Sequence, residues 1–110
     1  AMYETSAHLA QMARQPETAR MTLTVIASYA FADACNDRDC LAALVILDEL
    51  AAELGHRRSL PLVGKASYRL TDIAARYIAV AGHSPDELAN AAGLAWERLF
   101  QRPLPHIAPL

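Results

Sequence analysis

Apolar residues recur at intervals of three and four along most of the chain, which is the spacing of one face of an α-helix. This pattern predicts five helices, at approximately residues 5–14, 17–34, 38–54, 65–81 and 84–100. No segment shows the alternation that is typical of a β-strand. We therefore expect an all-α bundle of four or five helices, forming a single domain over residues 1–110 with extended tails at 1–4 and 103–110.

The second and third predicted helices are apolar on more than one side. In the second helix, Met21 and Tyr29 mark one apolar stripe, and Leu23 and Phe31 mark another that lies roughly opposite. The third helix is apolar almost all round, which is typical of an interior helix. A monomer of 110 residues does not easily hide so much apolar surface, so we expect a homodimer or a docking surface for another protein. The residues expected to contact a partner are Leu23, Tyr29, Phe31, Ile46, Leu50, Trp96 and Phe100.

Two short patterns predict where helices begin and end. Gly55 follows the third helix and is expected to adopt the left-handed conformation that ends many helices. Ser84, Pro85 and Glu87 have the spacing of a capping box, in which the serine and glutamate side chains bond to the first turn of a helix.

The last predicted helix has two interpretations. The stretch ELANAAGLAWERL resembles the helix-turn-helix of AraC-type regulators, which implies a small DNA-binding regulator that uses residues 84–102. However, Ala95 replaces the polar residue that would cap a recognition helix. The apolar stripe from Leu88 to Leu99 also continues through Gly93, which favours one packed helix.

Composition narrows the function classes. The formal net charge of −2 makes nucleic acid an unlikely partner, because nucleic-acid-binding domains are usually basic. No apolar run approaches the length of a membrane span, and we expect a cytoplasmic protein. Cys35 and Cys40 have neither redox-pair nor zinc spacing, so they are interpreted as reduced thiols, with a redox switch as the alternative.

Candidate chemistry is sparse. The four histidines, at positions 8, 56, 83 and 106, lack a metal-binding spacing, and no nucleophile, phosphate or dinucleotide motif occurs. Asp48 interrupts an apolar face, where it acts as a general base, pairs with an arginine or lies at the edge of an interface. We expect no catalytic site, no cofactor and no metal, and a protein that is not an enzyme.

Charges are unevenly distributed along the chain. Acidic residues dominate between positions 33 and 53, and basic residues dominate between 57 and 76. This pattern indicates either ordinary solvated surface or two patches of opposite sign that orient a protein partner. The acidic residues are Asp33, Asp37, Asp39, Asp48, Glu49 and Glu53, and the basic residues are Arg57, Arg58, Lys65, Arg69 and Arg76.

In size, helical content and slightly acidic charge, the chain resembles the quorum-sensing anti-activators of the QslA type. The resemblance extends over the whole chain and does not depend on one motif. It implies a bacterial protein that binds a transcription regulator of the LuxR type and blocks its dimerisation and DNA binding. The function expected from the sequence is therefore protein binding without catalysis.

Overall fold

The computed structural model describes residues 4–31, 38–56 and 70–102. Within these ranges the chain forms helices and no strand, which confirms the all-α bundle. The α-helices are α1 (Glu4–Arg14), α2 (Ala19–Ala30), α3 (Arg38–Glu53), α4 (Leu70–Ala81) and α5 (Pro85–Phe100). The tail at 103–110 and residues 1–3 lie outside the described ranges, and α1 already includes Glu4.

Pro16 determines where α1 ends and how the chain continues into α2. Gln15 has φ −127° and ψ 78°, outside the helical region, as expected for the residue before Pro16. Pro16 then opens a short 3-10 helix, Pro16–Thr18, which continues directly into α2. The predicted break between the helices at 5–14 and 17–34 is confirmed, and the α-helix itself begins at Ala19.

Helix α3 lies at the centre of the bundle. It contacts α1, α2, α4 and α5. The residues from Ala43 to Ala51 are buried, except for half-buried Val45. The interior position predicted for this helix is confirmed. One chain covers most of α3 by itself, so the burial of most of its apolar side chains does not depend on a second copy.

Helix α2 buries one of its two apolar stripes. Leu23 and Ala27 lie in the core, together with Ile26. On the other side Met21 is 69% exposed and Tyr29 is half-buried. The bundle therefore uses one face of α2 and leaves part of the second face at the surface.

Helix α5 is continuous through Gly93, which confirms the favoured interpretation of one packed helix and excludes the alternative helix-turn-helix at 84–102. The capping box is confirmed: the backbone N–H of Glu87 donates to Ser84 Oγ at 3.2 Å, and the backbone N–H of Ser84 donates to Glu87 Oε1 at 3.0 Å. At the other end, Gln101 adopts a left-handed conformation with φ 53°. Because no turn follows Gly93, the chain has no separate recognition helix here.

The interpretation of the cysteines as reduced thiols is also corrected. Cys40 is buried at the start of α3 and takes part in a disulfide bond. Cys35 lies outside the described residues.

In the part of the chain that the structure describes, no helix combines the length and the apolar character needed to cross a membrane.

Candidate functional site

The seven residues predicted to contact a partner divide into two groups. Leu23, Leu50 and Trp96 are fully buried, and Ile46 is 2% exposed. These four side chains belong to the core and present almost no surface in the folded chain. Tyr29, Phe31 and Phe100 are half-buried at the edge of the core.

Other apolar side chains are more exposed than the predicted ones. The large apolar residues with the greatest exposure are Met21 (69%), Ile78 (68%), Leu41 (45%) and Leu94 (44%). Met21 belongs to an apolar stripe predicted from the sequence, although it is not among the seven predicted contact residues. Leu41, Ile78 and Leu94 occupy outward positions of helices whose other faces are strongly apolar, and that amphipathic pattern is the signal that was missed.

An apolar groove lies between α3 and α5. It has a volume of about 230 Å³ and opens to solvent. We call it the α3–α5 groove, and its lining residues are Ser6, Ala42, Val45, Ile46, Leu99 and Phe100. Two of the predicted partner residues, Ile46 and Phe100, therefore meet at one surface feature.

The groove is held by contacts on both of its helices. Phe100 packs against buried Trp96, with 4.3 Å between the ring centroids. Glu49, one turn after Val45 in α3, forms an ion pair with Arg98 of α5, with 3.9 Å between Glu49 Oε2 and Arg98 Nε. Leu41 lies one turn before Val45 and extends the apolar face of α3. Many protein-binding sites likewise have an apolar centre with charged residues at the edge.

Two of the six acidic residues of the predicted patch lie below the surface. Asp48 is fully buried and Glu49 is 4% exposed, so neither adds much negative surface. Asp48 interacts with another group of the chain. Four of the five bases of the predicted basic patch, Arg57, Arg58, Lys65 and Arg69, lie outside the described residues.

A second cluster lies where α3 ends and α5 begins. His56 and His83 face each other, with 2.8 Å between their Nε2 atoms and an angle of 80° between the rings. Sequence spacing did not predict this pair, because the two histidines are 27 positions apart. Only the packing of α3 against the α4–α5 connection brings them together.

Local backbone structure fixes both histidines. Gly55 has φ 90°, as predicted for the left-handed end of α3. The backbone N–H of Gly55 donates to the Ala52 carbonyl oxygen, and that of His56 donates to the Ala51 carbonyl oxygen, which together form a Schellman motif. His83 directly precedes the capping box of α5 and accepts a hydrogen bond at its carbonyl oxygen from Arg20 at 3.0 Å.

Glu87 completes the surroundings of His83. Its Oε2 atom lies 3.5 Å from His83 Nδ1, on the side of the ring opposite to His56. Hydrogen bonds from the backbone and side chain of Ser84, and from His83, hold the pKa of Glu87 below its ordinary value. The Glu87 carboxylate is therefore ionised near neutral pH, and it can accept a hydrogen bond from His83 Nδ1 when that nitrogen carries a proton.

The sequence matches no protein-family model, no curated protein and no solved structure.

Proposed function

We propose that this protein is a non-enzymatic helical module that binds another protein through the α3–α5 groove. The observation that carries the proposal is the apolar lining of this open groove, which includes the predicted partner residues Ile46 and Phe100. A groove of about 230 Å³ accommodates one or two apolar side chains of a partner. Burial of one large apolar side chain contributes roughly 1.5–3 kcal/mol, so such an anchor matters for affinity.

The partner that we propose is a transcription regulator of the LuxR type, which the protein binds as an anti-activator. This part of the proposal comes from the resemblance to QslA-type proteins. An apolar groove suits the apolar surface by which a regulator dimerises, because such interfaces are enriched in large apolar side chains. Occupation of that surface prevents the regulator from dimerising and from binding its DNA site.

In the absence of the regulator, we propose that a second copy of the chain covers the groove. Closed two-fold dimers are the commonest way in which soluble proteins bury an apolar surface. The regulator and the second copy then compete for one surface.

A DNA mobility-shift assay tests the regulatory part of the proposal. A LuxR-type regulator from the same host is bound to its DNA site, and the purified protein is added in increasing amounts. We expect the wild-type protein to release the DNA. The substitutions Leu41→Glu and Val45→Glu place a charge beside or in the groove and should reduce this inhibition by at least tenfold, because an unpaired charge is costly to bury.

The matched control is Met21→Glu, which introduces the same charge at an exposed apolar residue outside the groove. This variant should inhibit as the wild type does. Circular dichroism establishes that all three variants are folded. The proposal is contradicted if the regulator is unaffected by wild-type protein, or if Met21→Glu loses inhibition while the two groove variants retain it.

A further inference from the structure

We propose that His56 and His83 form a binding site for a divalent transition-metal cation such as Zn²⁺ or Ni²⁺, with Glu87 orienting His83. The central observation is that two imidazole Nε2 atoms point at each other across 2.8 Å. Each neutral Nε2 without a proton has a lone pair, which is the group that Zn²⁺, Cu²⁺ and Ni²⁺ prefer among nitrogen ligands.

In the structure without metal, the two rings are joined by a single hydrogen bond. One Nε2 must carry a proton and donate it to the other, because two unprotonated nitrogens would bring their lone pairs together. The ring that donates this hydrogen bond exposes its Nε2 lone pair when its proton moves, through water, from Nε2 to its own Nδ1. A metal ion can then accept the lone pairs of both Nε2 atoms, and both rings stay neutral. Metal binding is thus a chemical alternative to the hydrogen bond that the pair already makes.

The required movement is small. Zinc–nitrogen bonds of about 2.0–2.1 Å with tetrahedral angles place the two nitrogens roughly 3.4 Å apart. The two Nε2 atoms are now 2.8 Å apart, and the ring centroids 5.0 Å apart, so the rings meet nearly head-on. The rings must separate by a fraction of an ångström, and each must also rotate by roughly 35° so that both lone pairs meet at the metal. The side chain of His83 is 22% exposed and His56 is also partly exposed, which leaves room for this movement and for water on the metal.

Glu87 has the position of a metal-site carboxylate. Ligating histidines commonly donate their other ring N–H to a carboxylate, which fixes the tautomer and leaves the opposite nitrogen free to bind metal. Glu87 Oε2 lies 3.5 Å from His83 Nδ1, which is the ring nitrogen that does not face His56. This contact favours the tautomer with the proton on Nδ1 and the lone pair on Nε2.

The surrounding charges limit the affinity of the site. Arg20 approaches the His83 carbonyl oxygen at 3.0 Å and disfavours a second cation, whereas Glu87 and Asp86, in the first turn of α5, favour one. Among the described residues, no group of three or more His, Cys, Asp or Glu side chains is arranged to hold a metal ion. Water therefore fills the remaining positions, and the site should bind more weakly than a structural zinc centre with four protein ligands.

Isothermal titration calorimetry of the full chain with ZnCl₂, and separately with NiCl₂, tests the inference. We expect one equivalent of metal to bind. His56→Ala and His83→Ala should each abolish saturable binding, and Glu87→Gln should weaken it about tenfold, as is usual for loss of an orienting carboxylate. His8→Ala is the matched control and should bind as the wild type does, because His8 lies beside Tyr29 and outside the pair.

Long-range ¹H–¹⁵N spectra of the histidine rings in the wild-type protein give a second measurement that needs no variant. Zn²⁺ should shift the Nε2 resonances of two histidines together, at one equivalent. The inference is overturned if the wild type binds no metal, if binding survives both His56→Ala and His83→Ala, or if the metal shifts the resonances of other histidines instead.

Discussion

Gly55 and Gly93 differ in backbone conformation, since Gly55 is left-handed and Gly93 is helical. Gly55 has φ 90°, a backbone geometry that side chains of L-amino acids rarely adopt, and no atom would contact an added Cβ. Gly93 lies within α5, and an added Cβ would approach Ala13 Cβ at 4.0 Å, an ordinary van der Waals contact. Backbone strain therefore determines how alanine at position 55 changes stability, and helix propensity determines how alanine at position 93 does.

We therefore predict effects of opposite sign for the same substitution. Gly55→Ala should lower the free energy of unfolding by about 1–2 kcal/mol, because alanine is strained in the left-handed region. Gly93→Ala should raise it by about 1 kcal/mol, because alanine is a much better helix former. Urea denaturation followed by circular dichroism measures both. Destabilisation by Gly93→Ala would show that α1 and α5 pack too closely there for a methyl group.

The capping box of α5 makes a second prediction at the residue scale. Ser84→Ala removes the acceptor for the backbone N–H of Glu87 and should reduce the free energy of unfolding by about 1 kcal/mol. Ser28→Ala is the control, since Ser28 is an exposed serine inside α2 whose hydroxyl donates only to the Val25 carbonyl oxygen. It should be neutral or slightly stabilising, because alanine favours the helix. Equal losses in both variants would contradict a specific role for the cap.

Local sequence predicts such features well because all interacting atoms lie within a few residues. The left-handed Gly55 and the bonds between Ser84 and Glu87 were predicted from spacing alone. The pair of His56 and His83 was not predicted, because its geometry depends on how α3 meets the start of α5. Residues far apart in the chain become one cluster only through tertiary packing.

For the helices as elements, the spacing of apolar residues predicted correctly which segments are helical. It did not predict correctly which parts of the molecule pack against them. The sequence indicated an interior α3 correctly, but it also suggested that a partner was needed to cover that helix. The structure surrounds α3 with four neighbouring helices of the same chain. A helical wheel shows how many faces are apolar and carries no information on whether the neighbours come from one chain or two.

Helix α3 therefore allows a prediction that separates its buried face from its exposed face. Leu50→Ala should reduce the free energy of unfolding by about 2–5 kcal/mol, because it leaves a cavity at a fully buried site. Leu41→Ala, on the same helix, should change it by about 0.5 kcal/mol or less, because Leu41 is 45% exposed. Chemical denaturation distinguishes the two. The comparison is made at a dilution where the protein is a single chain, and a large loss for Leu41→Ala there would show that the chain itself covers this side chain.

Within residues 4–31, 38–56 and 70–102, the molecule buries most of its large apolar side chains and leaves a limited set at the surface. Leu41 belongs to that set, and Val45, Leu99 and Phe100 of the α3–α5 groove are half-buried beside it. Apolar side chains around a groove that opens to solvent are better suited to binding than the same side chains scattered singly. The proposed function depends on this surface being covered when a protein partner, or a second copy of the chain, is present.

Multi-angle light scattering over a series of dilutions tests this central claim most directly. One chain has a mass of 12.0 kDa. We expect a larger average mass for the wild-type protein at high concentration, which decreases toward the mass of one chain on dilution. Val45→Glu should have the mass of one chain throughout, and Met21→Glu should behave as the wild type. A wild-type protein with the mass of one chain at every concentration, or a dimer that survives Val45→Glu, would contradict the assignment of the groove as the self-docking surface.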